Sequence, residues 1–285
     1  MRSGVGRAKD AVVLEETLGQ APPSTAGRGP ARNVLERMGR FAIDALPPLA
    51  VLVALFAAWE IYVAASGINR VTLPAPSQVF EAALRNRALL WDHSLVTLKE
   101  TVLGLGLSIV LAIGLALLID AFAPVRRALY PLLVGSQTIP VVVIAPLIIL
   151  WFGFDLTPKL LVVALYTFFP ITVAFASGLA ATSDEALVLM RTLGASRLKT
   201  LALLKVPQAL PYLFTGLRIS VTYAMIGAVF AEWSGARDGL GIYILLMKNS
   251  FRTDMVLAAI FLISVLSLGL FVLVGMIERA VVRWR

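Results

Sequence analysis

TSDEALVLMRTLGASRLKTLALLKVPQALP, residues Thr182–Pro211, is a charged, helix-forming segment set into a chain otherwise made mostly of long apolar runs. A connector of roughly thirty residues with its own helix signals is too ordered to be a simple loop. Thr182 with Glu185 three residues on forms a capping-box pattern, and Asp184 puts negative charge at the positive end of a helix. Ala186–Leu193 then reads as helix, with Gly194 where a left-handed glycine ends one. Ser196 caps a second short helix running to about Leu204, closed by Pro207 and Pro211. Leu187, Val188, Met190, Leu193, Leu201 and Leu204 are apolar at positions that water should wet. Either they pack on the chain's own bundle, or they form a docking surface for a soluble partner.

Working outward, the composition fixes the surroundings of this insert. Of 285 residues, 59% are hydrophobic and only 15% charged, against about a quarter charged in a soluble domain. About 20 apolar residues cross a bilayer, and six runs qualify: Asp44–Ser66, Val96–Ile119, Leu129–Phe152, Lys159–Ala180, Thr215–Ala231 and Met255–Ile277. The expected fold is an all-α membrane protein of about six transmembrane helices with a helical coupling loop at 182–211. The third run holds Pro140 and Pro146, so a kink or interruption is expected there, tolerated where protein or a cavity covers it. In the second, Gly104, Ser108 and Gly114 permit close helix contact.

Lys and Arg orient the bundle. Residues 1–40, Arg126 with Arg127, the insert, and Arg279, Arg283 and Arg285 fall on one side and outnumber the basic residues of the other. Both termini and the insert are therefore expected in the cytoplasm. Residues 1–40 have no apolar core of a signal peptide and read as a mostly disordered tail, with a short amphipathic helix near Asn33–Arg40. Residues 41–285 form the transmembrane domain. The net charge of +8 is explained by this orientation, without nucleic acid as a partner. There is no cysteine, and the single histidine, His93, cannot build a metal cluster. No metal or cofactor is expected in this chain.

Anchored on Gly194, nine residues (Ala195–Leu203) lead to Leu204-Lys205-Val206-Pro207. That spacing resembles the cytoplasmic loop of permeases of bacterial binding-protein-dependent ABC importers. The family's Glu-Ala-Ala triplet is replaced here by Val188-Leu189-Met190, so no role passes to its missing acid. The resemblance extends over residues 45–285 through SQTIPVVVIAPLIILWFGF (Ser136–Phe154), FFPI (Phe168–Ile171), MRTLGASR (Met190–Arg197), LPYLFTGLRIS (Leu210–Ser220) and GAVFAEWSGARDGLG (Gly227–Gly241). These stretches look like the nitrate/sulfonate/taurine branch, and most like its pyrimidine-precursor (thiamine biosynthesis) or riboflavin-type permeases. The resemblance implies two ATP-binding subunits, an external substrate-binding protein, a second permease copy making a homodimer, and the bacterial inner membrane. It also implies that Glu185, Leu187, Met190, Arg191, Leu193, Gly194, Ala195, Arg197 and Pro207 dock the ATP-binding subunit.

No GxxxxGK[ST] phosphate loop occurs, so ATP hydrolysis is expected on a separate polypeptide and no catalytic residue here. For a translocation path or gate the candidates are Gln137, Trp151, Tyr223, Glu232 and Trp233, which combine aromatic faces, an amide and an acid. Glu232 is either an interfacial carboxylate paired with Arg237 or water beside a belt tryptophan, or part of an external gate. Asp120 is expected in a surface pair with Arg126 or Arg127, His93 exposed, and Gly239 and Gly241 in a turn. Carriage of an aliphatic sulfonate, taurine or nitrate is the alternative within the same architecture. An ion-coupled secondary transporter is the alternative of another class, disfavoured because the span centres lack charge.

Overall fold

The computed structural model describes the backbone of residues 30–284 and the side chains from Leu46 onward. Among the described residues every regular element is helical. The chain separates into two compact units, one ending at Trp59 and one from Glu60 to Arg285. The boundary falls inside α1 (Pro30–Ser66), which over Leu46–Ser66 is long and apolar enough to cross a membrane. The short helix expected at Asn33–Arg40 is the opening part of α1, while the tail before residue 30 lies outside the described residues.

The second unit continues with α2 (Pro76–Arg85), α3 (Arg87–Ala121), α4 (Ala123–Ser136), α5 (Val141–Phe152), α6 (Leu156–Ala180), α7 (Asp184–Thr192) and α8 (Arg197–Thr200). A π-helical stretch (Leu201–Lys205) joins α8 to α9 (Val206–Trp233), followed by α10 (Leu240–Asn249) and α11 (Thr253–Val281). Five described helices are long and apolar enough to cross a membrane, or six if α4 and α5 form one span bent by 101°. The interruption expected in the third span is there. Pro140 caps α5 at the break, whereas Pro146 lies inside α5.

α6 is the centre of the bundle, with α3 and α9 packed along it. Lipid tails are as apolar as leucine, so helices associate in a bilayer by close packing, which small residues permit. A Cβ on Gly104 would stand 2.5 Å from the Val163 Cβ, and one on Gly178 would stand 2.9 Å from the Ala209 Cα. A Cβ on Gly216 would stand 2.8 Å from the Pro170 carbonyl oxygen. Of the small residues expected in α3, Gly104 and fully buried Ser108 lie in contacts, but Gly114 faces open space. Ala112 and Ala116 of α3, Ile171, Phe175 and Leu179 of α6, and Leu213 and Val221 of α9 fill the seam. A second cluster joins α2, α10 and α11 through Val79, Leu240, Tyr243 and Met255.

The fifth span departs from expectation. Instead of a short helix closed by prolines and a separate span at Thr215–Ala231, one helix of 37 residues runs from Arg197 to Trp233. In the π-helical stretch the Val206 N–H donates to the Leu201 carbonyl, a wider turn than the α-helix. This widening makes room for the Pro207 ring, which in a regular helix would strike the carbonyl four residues back. Pro211 is likewise inside the helix. The insert therefore ends at Ser196, and whatever moves α8 moves α9.

Candidate functional site

The insert is built as a capped helix and a tight reversal. Ser183, not Thr182, caps α7, its Oγ accepting the Ala186 N–H at 3.3 Å. Thr182 is buried and donates to the Leu179 carbonyl at 3.3 Å, so the cap falls one residue later than the sequence pattern suggests. At the other end Gly194 has φ +71°, its N–H donates to the Arg191 carbonyl, and the Ala195 N–H donates to the Met190 carbonyl, both at 2.9 Å. That pair of bonds is the Schellman C-cap. Ser196 caps α8 as expected, accepting the Lys199 N–H.

No residue of α7 is buried. Val188 and Leu193 are 57% and 71% exposed, which overturns, for those two, packing on the chain's own bundle. Glu185, Arg191 and Arg197 are also exposed, while Leu187, Met190 and Ala195 are half-buried. These residues lie along α7, the reversal at Gly194 and the start of α8. Pro207 lies apart from them, half-buried in the first turn of α9. Lys205 reaches both oxygens of Asp120, at 2.8 and 2.9 Å, and so ties the π-helical stretch to the end of α3. Asp120 was expected on Arg126 or Arg127; Lys205 takes it because the unbroken helix brings that ammonium to the end of α3.

The opposite end of the bundle holds a buried polar node. Asp120 and Glu100 are both on α3, about 30 Å apart along its axis at the α-helical rise. Glu232, at the end of α9, is fully buried. One carboxylate oxygen accepts the Thr97 hydroxyl at 2.6 Å and the other accepts the Gly241 N–H. The Thr97 hydroxyl in turn accepts the Leu240 N–H at 2.8 Å, and the Gly239 N–H donates to His93 Nδ1 at 3.0 Å. The Trp233 indole N–H donates to the Gly241 carbonyl at 2.9 Å. The segment after α9 is thus folded back over the end of its own helix and bonded to α3. These bonds give both oxygens of the buried carboxyl group a partner, which a polar group removed from water requires.

Three expectations are corrected here. Glu232 is held by Thr97 and Gly241 rather than by Arg237, because the fold-back carries Arg237 to an exposed position. His93 is half-buried, accepts a backbone N–H, and lies 5.1 Å from the Tyr243 ring between centroids. Gly239 does more than turn the chain, since a Cβ on it would fall 2.2 Å from the Glu232 carboxyl carbon. Gly241 lies not in a turn but within α10, its N–H bound to Glu232. Beside the node, Lys159 of α6 pairs with Glu100 of α3, with 12% and 2% of their side chains exposed. Sequence reading missed this pair and Thr97. Lys159→Met is expected to cost about 3–5 kcal/mol by stranding the Glu100 charge. Adding Glu100→Leu should restore most of that stability, as measured by thermal unfolding in detergent.

The five path candidates do not converge on one cavity. Glu232 and Trp233 belong to the node, Gln137 lies exposed at the α4–α5 break, and Trp151 is exposed near the end of α5. Tyr223 faces a groove of about 520 Å³ between α9 and α11, with Thr215, Arg218 and Thr222. Arg218 and Glu278, also unforeseen, form an ion pair at 2.7 Å in that groove.

Residues 103–283 match the family model described as "Binding-protein-dependent transport system inner membrane component". The formylaminopyrimidine transport permease protein ThiX of Halalkalibacterium halodurans is 40% identical over 85% of this chain and 97% of its own length. The riboflavin transport system permease protein RibX of Chloroflexus aurantiacus is 38% identical over 86% of this chain and 92% of its own. The taurine transport system permease protein TauC of Escherichia coli is 28% identical over 83% and 88%. Among solved structures, the MetNI methionine ABC transporter in an inward-facing conformation superposes with a TM-score of 0.60 at 17% identity, covering 68% of this chain and 97% of that one. A likeness at that identity speaks for the fold.

Proposed function

The chain belongs to the family of binding-protein-dependent transport system inner membrane components, and from that membership we propose that it carries a thiamine-precursor pyrimidine, or a similar planar heterocycle, into the cell. It is a permease subunit of an ABC importer rather than an enzyme, working with an ATP-binding subunit and an external binding protein. The proposed substrate rests on the 40% identity to a formylaminopyrimidine permease along nearly its whole length. Riboflavin and taurine permeases are also similar to this chain, at 38% and 28% identity, so these solutes are the controls.

The mechanism proposed for the insert rests on one observation: an exposed, part-apolar helix and reversal lead directly into a helix that runs unbroken from Arg197 across the membrane. An ATP-binding subunit seated on α7 and α8 would push on α9 directly, and on α3 through Lys205 and Asp120. Glu185, Leu187, Met190, Arg191, Leu193, Ala195 and Arg197 are the proposed contacts, with Gly194 shaping the reversal. Pro207 is assigned to the junction. The insert and both termini are placed in the cytoplasm.

Two ATP-binding subunits and a second copy of this chain complete the proposed assembly. Thr215, Thr222 and Tyr223 present hydroxyls on an exposed side of α9. Thr215 and Thr222 donate theirs to the Pro211 and Ile219 carbonyls of their own helix. Of the three it is therefore the Tyr223 hydroxyl that lipid would leave poorly satisfied, whereas a facing copy would enclose all three along a polar path. Tyr223 would stack on the passing ring. Tyr223→Ala is expected to lower uptake about three- to tenfold, the worth of one aromatic contact, with assembly unchanged. Cells expressing the importer set should take up labelled formylaminopyrimidine and resist competition by riboflavin or taurine. Competition by taurine with none by the pyrimidine would overturn the substrate.

A further inference from the structure

Asp120, Arg126, Arg127, Tyr130 and Ser177 face one cavity of about 600 Å³ between the ends of α3 and α6 and the first turns of α4. α3 ends at Ala121 and α6 at Ala180, each after an apolar run long enough to span, and α4 starts at Ala123. Three spans thus begin or end around the cavity, which places it at the boundary between hydrocarbon and water on the insert's side. Phe122 and Tyr130, 55% and 44% exposed, are aromatic residues at that level, where such rings favour the headgroup region.

The charge balance is one-sided. The Asp120 carboxylate already holds Lys205 through both oxygens. Arg126 and Arg127 are exposed and form no ion pair with any described residue. Two guanidinium groups therefore share the cavity with hydroxyls of Tyr130 and Ser177. A planar guanidinium binds two oxygens of a carboxylate or phosphate through paired N–H groups, and basic pockets between membrane helices bind phosphate-bearing headgroups. We infer that this cavity holds the phosphate of an anionic phospholipid headgroup, gripped by Arg126 and Arg127. A lipid is favoured over free phosphate because the cavity lies level with the span ends, where headgroups stand. Bound there, the headgroup would fasten the start of α4 to the ends of α3 and α6, next to the Asp120–Lys205 bridge. The site does not depend on which solute is carried.

The test uses the full chain assembled with its ATP-binding subunit in vesicles of phosphatidylcholine with a minor share of phosphatidylglycerol. After extraction into detergent, retained lipid is counted by native mass spectrometry. Phosphatidylglycerol should be enriched about tenfold over its bulk share, as two basic groups near a headgroup allow. Arg126→Gln with Arg127→Gln should return it to that share, and Arg126→Lys with Arg127→Lys should keep most of the enrichment. Millimolar inorganic phosphate added to the extracted complex should leave the lipid in place. Equal retention in the wild type and the Gln pair overturns the inference, as does displacement by inorganic phosphate, which would mark a free-anion site. Loss of the ATP-binding subunit from the Gln pair with lipid retention unchanged would assign the arginines to a protein contact instead.

Discussion

Gly239→Ala is expected to cost more than about 3 kcal/mol and to leave little folded protein in detergent, because two penalties coincide at one position. Its φ is +124°, a conformation that side chains rarely adopt. The added methyl would also fall 2.2 Å from the Glu232 carboxyl carbon and 2.4 Å from both carboxylate oxygens. Neither can yield cheaply: Glu232 is fixed by Thr97 and Gly241, and the Gly239 N–H by His93. Glu232→Ala removes the obstacle but strands the Gly241 N–H in a buried place, at about 1–3 kcal/mol. The double variant should therefore be more stable than the sum of the single losses requires, since the clash is gone and only the strained φ and the unpaired Gly241 N–H remain. Thermal unfolding of the three variants measures this, and strict additivity would mean the carboxylate and Gly239 do not meet.

Gly194→Pro is expected to leave the membrane bundle intact and to abolish association with the ATP-binding subunit. Proline fixes φ near −65° and removes the N–H, whereas Gly194 needs φ +71° and donates to the Arg191 carbonyl. The reversal between α7 and α8 would be lost, and with it the placing of Met190 and Leu193 relative to Arg197. The bundle is spared because nothing lies within 4 Å of a Cβ at this position. For the same reason Gly194→Ala meets only the left-handed penalty, about 1–2 kcal/mol. Its binding should weaken roughly five- to thirtyfold but survive. Co-purification of the ATP-binding subunit with each variant decides. Full binding by the Pro variant would remove the docking role from the insert.

Those two glycines also show how far the sequence could be read. Gly194 and Ser196 were legible as stop and start signals because their chemistry is settled within a few residues. The break at Pro140 was legible for the same reason. Pro207 and Pro211 misled, since a proline after a short helix ordinarily stops it, and the π-helical turn that carries the helix past Pro207 has no comparable local mark. The Glu232 node was half visible: an acid among apolar residues needs a partner, but Thr97 stands 135 positions away in the chain. Lys205 and Asp120 are 85 apart, and Lys159 and Glu100 are 59 apart. Such pairings follow from which helices α6 brings together, and a single sequence does not display that.

The most direct measurement reconstitutes the full-length chain in liposomes with and without its ATP-binding subunit and its external binding protein. The chain alone should hydrolyse no ATP and move no solute, and uptake should appear only when both partners and ATP are present. Robust uptake by the chain alone, without ATP and driven by an ion gradient, would contradict the account and make this a secondary transporter.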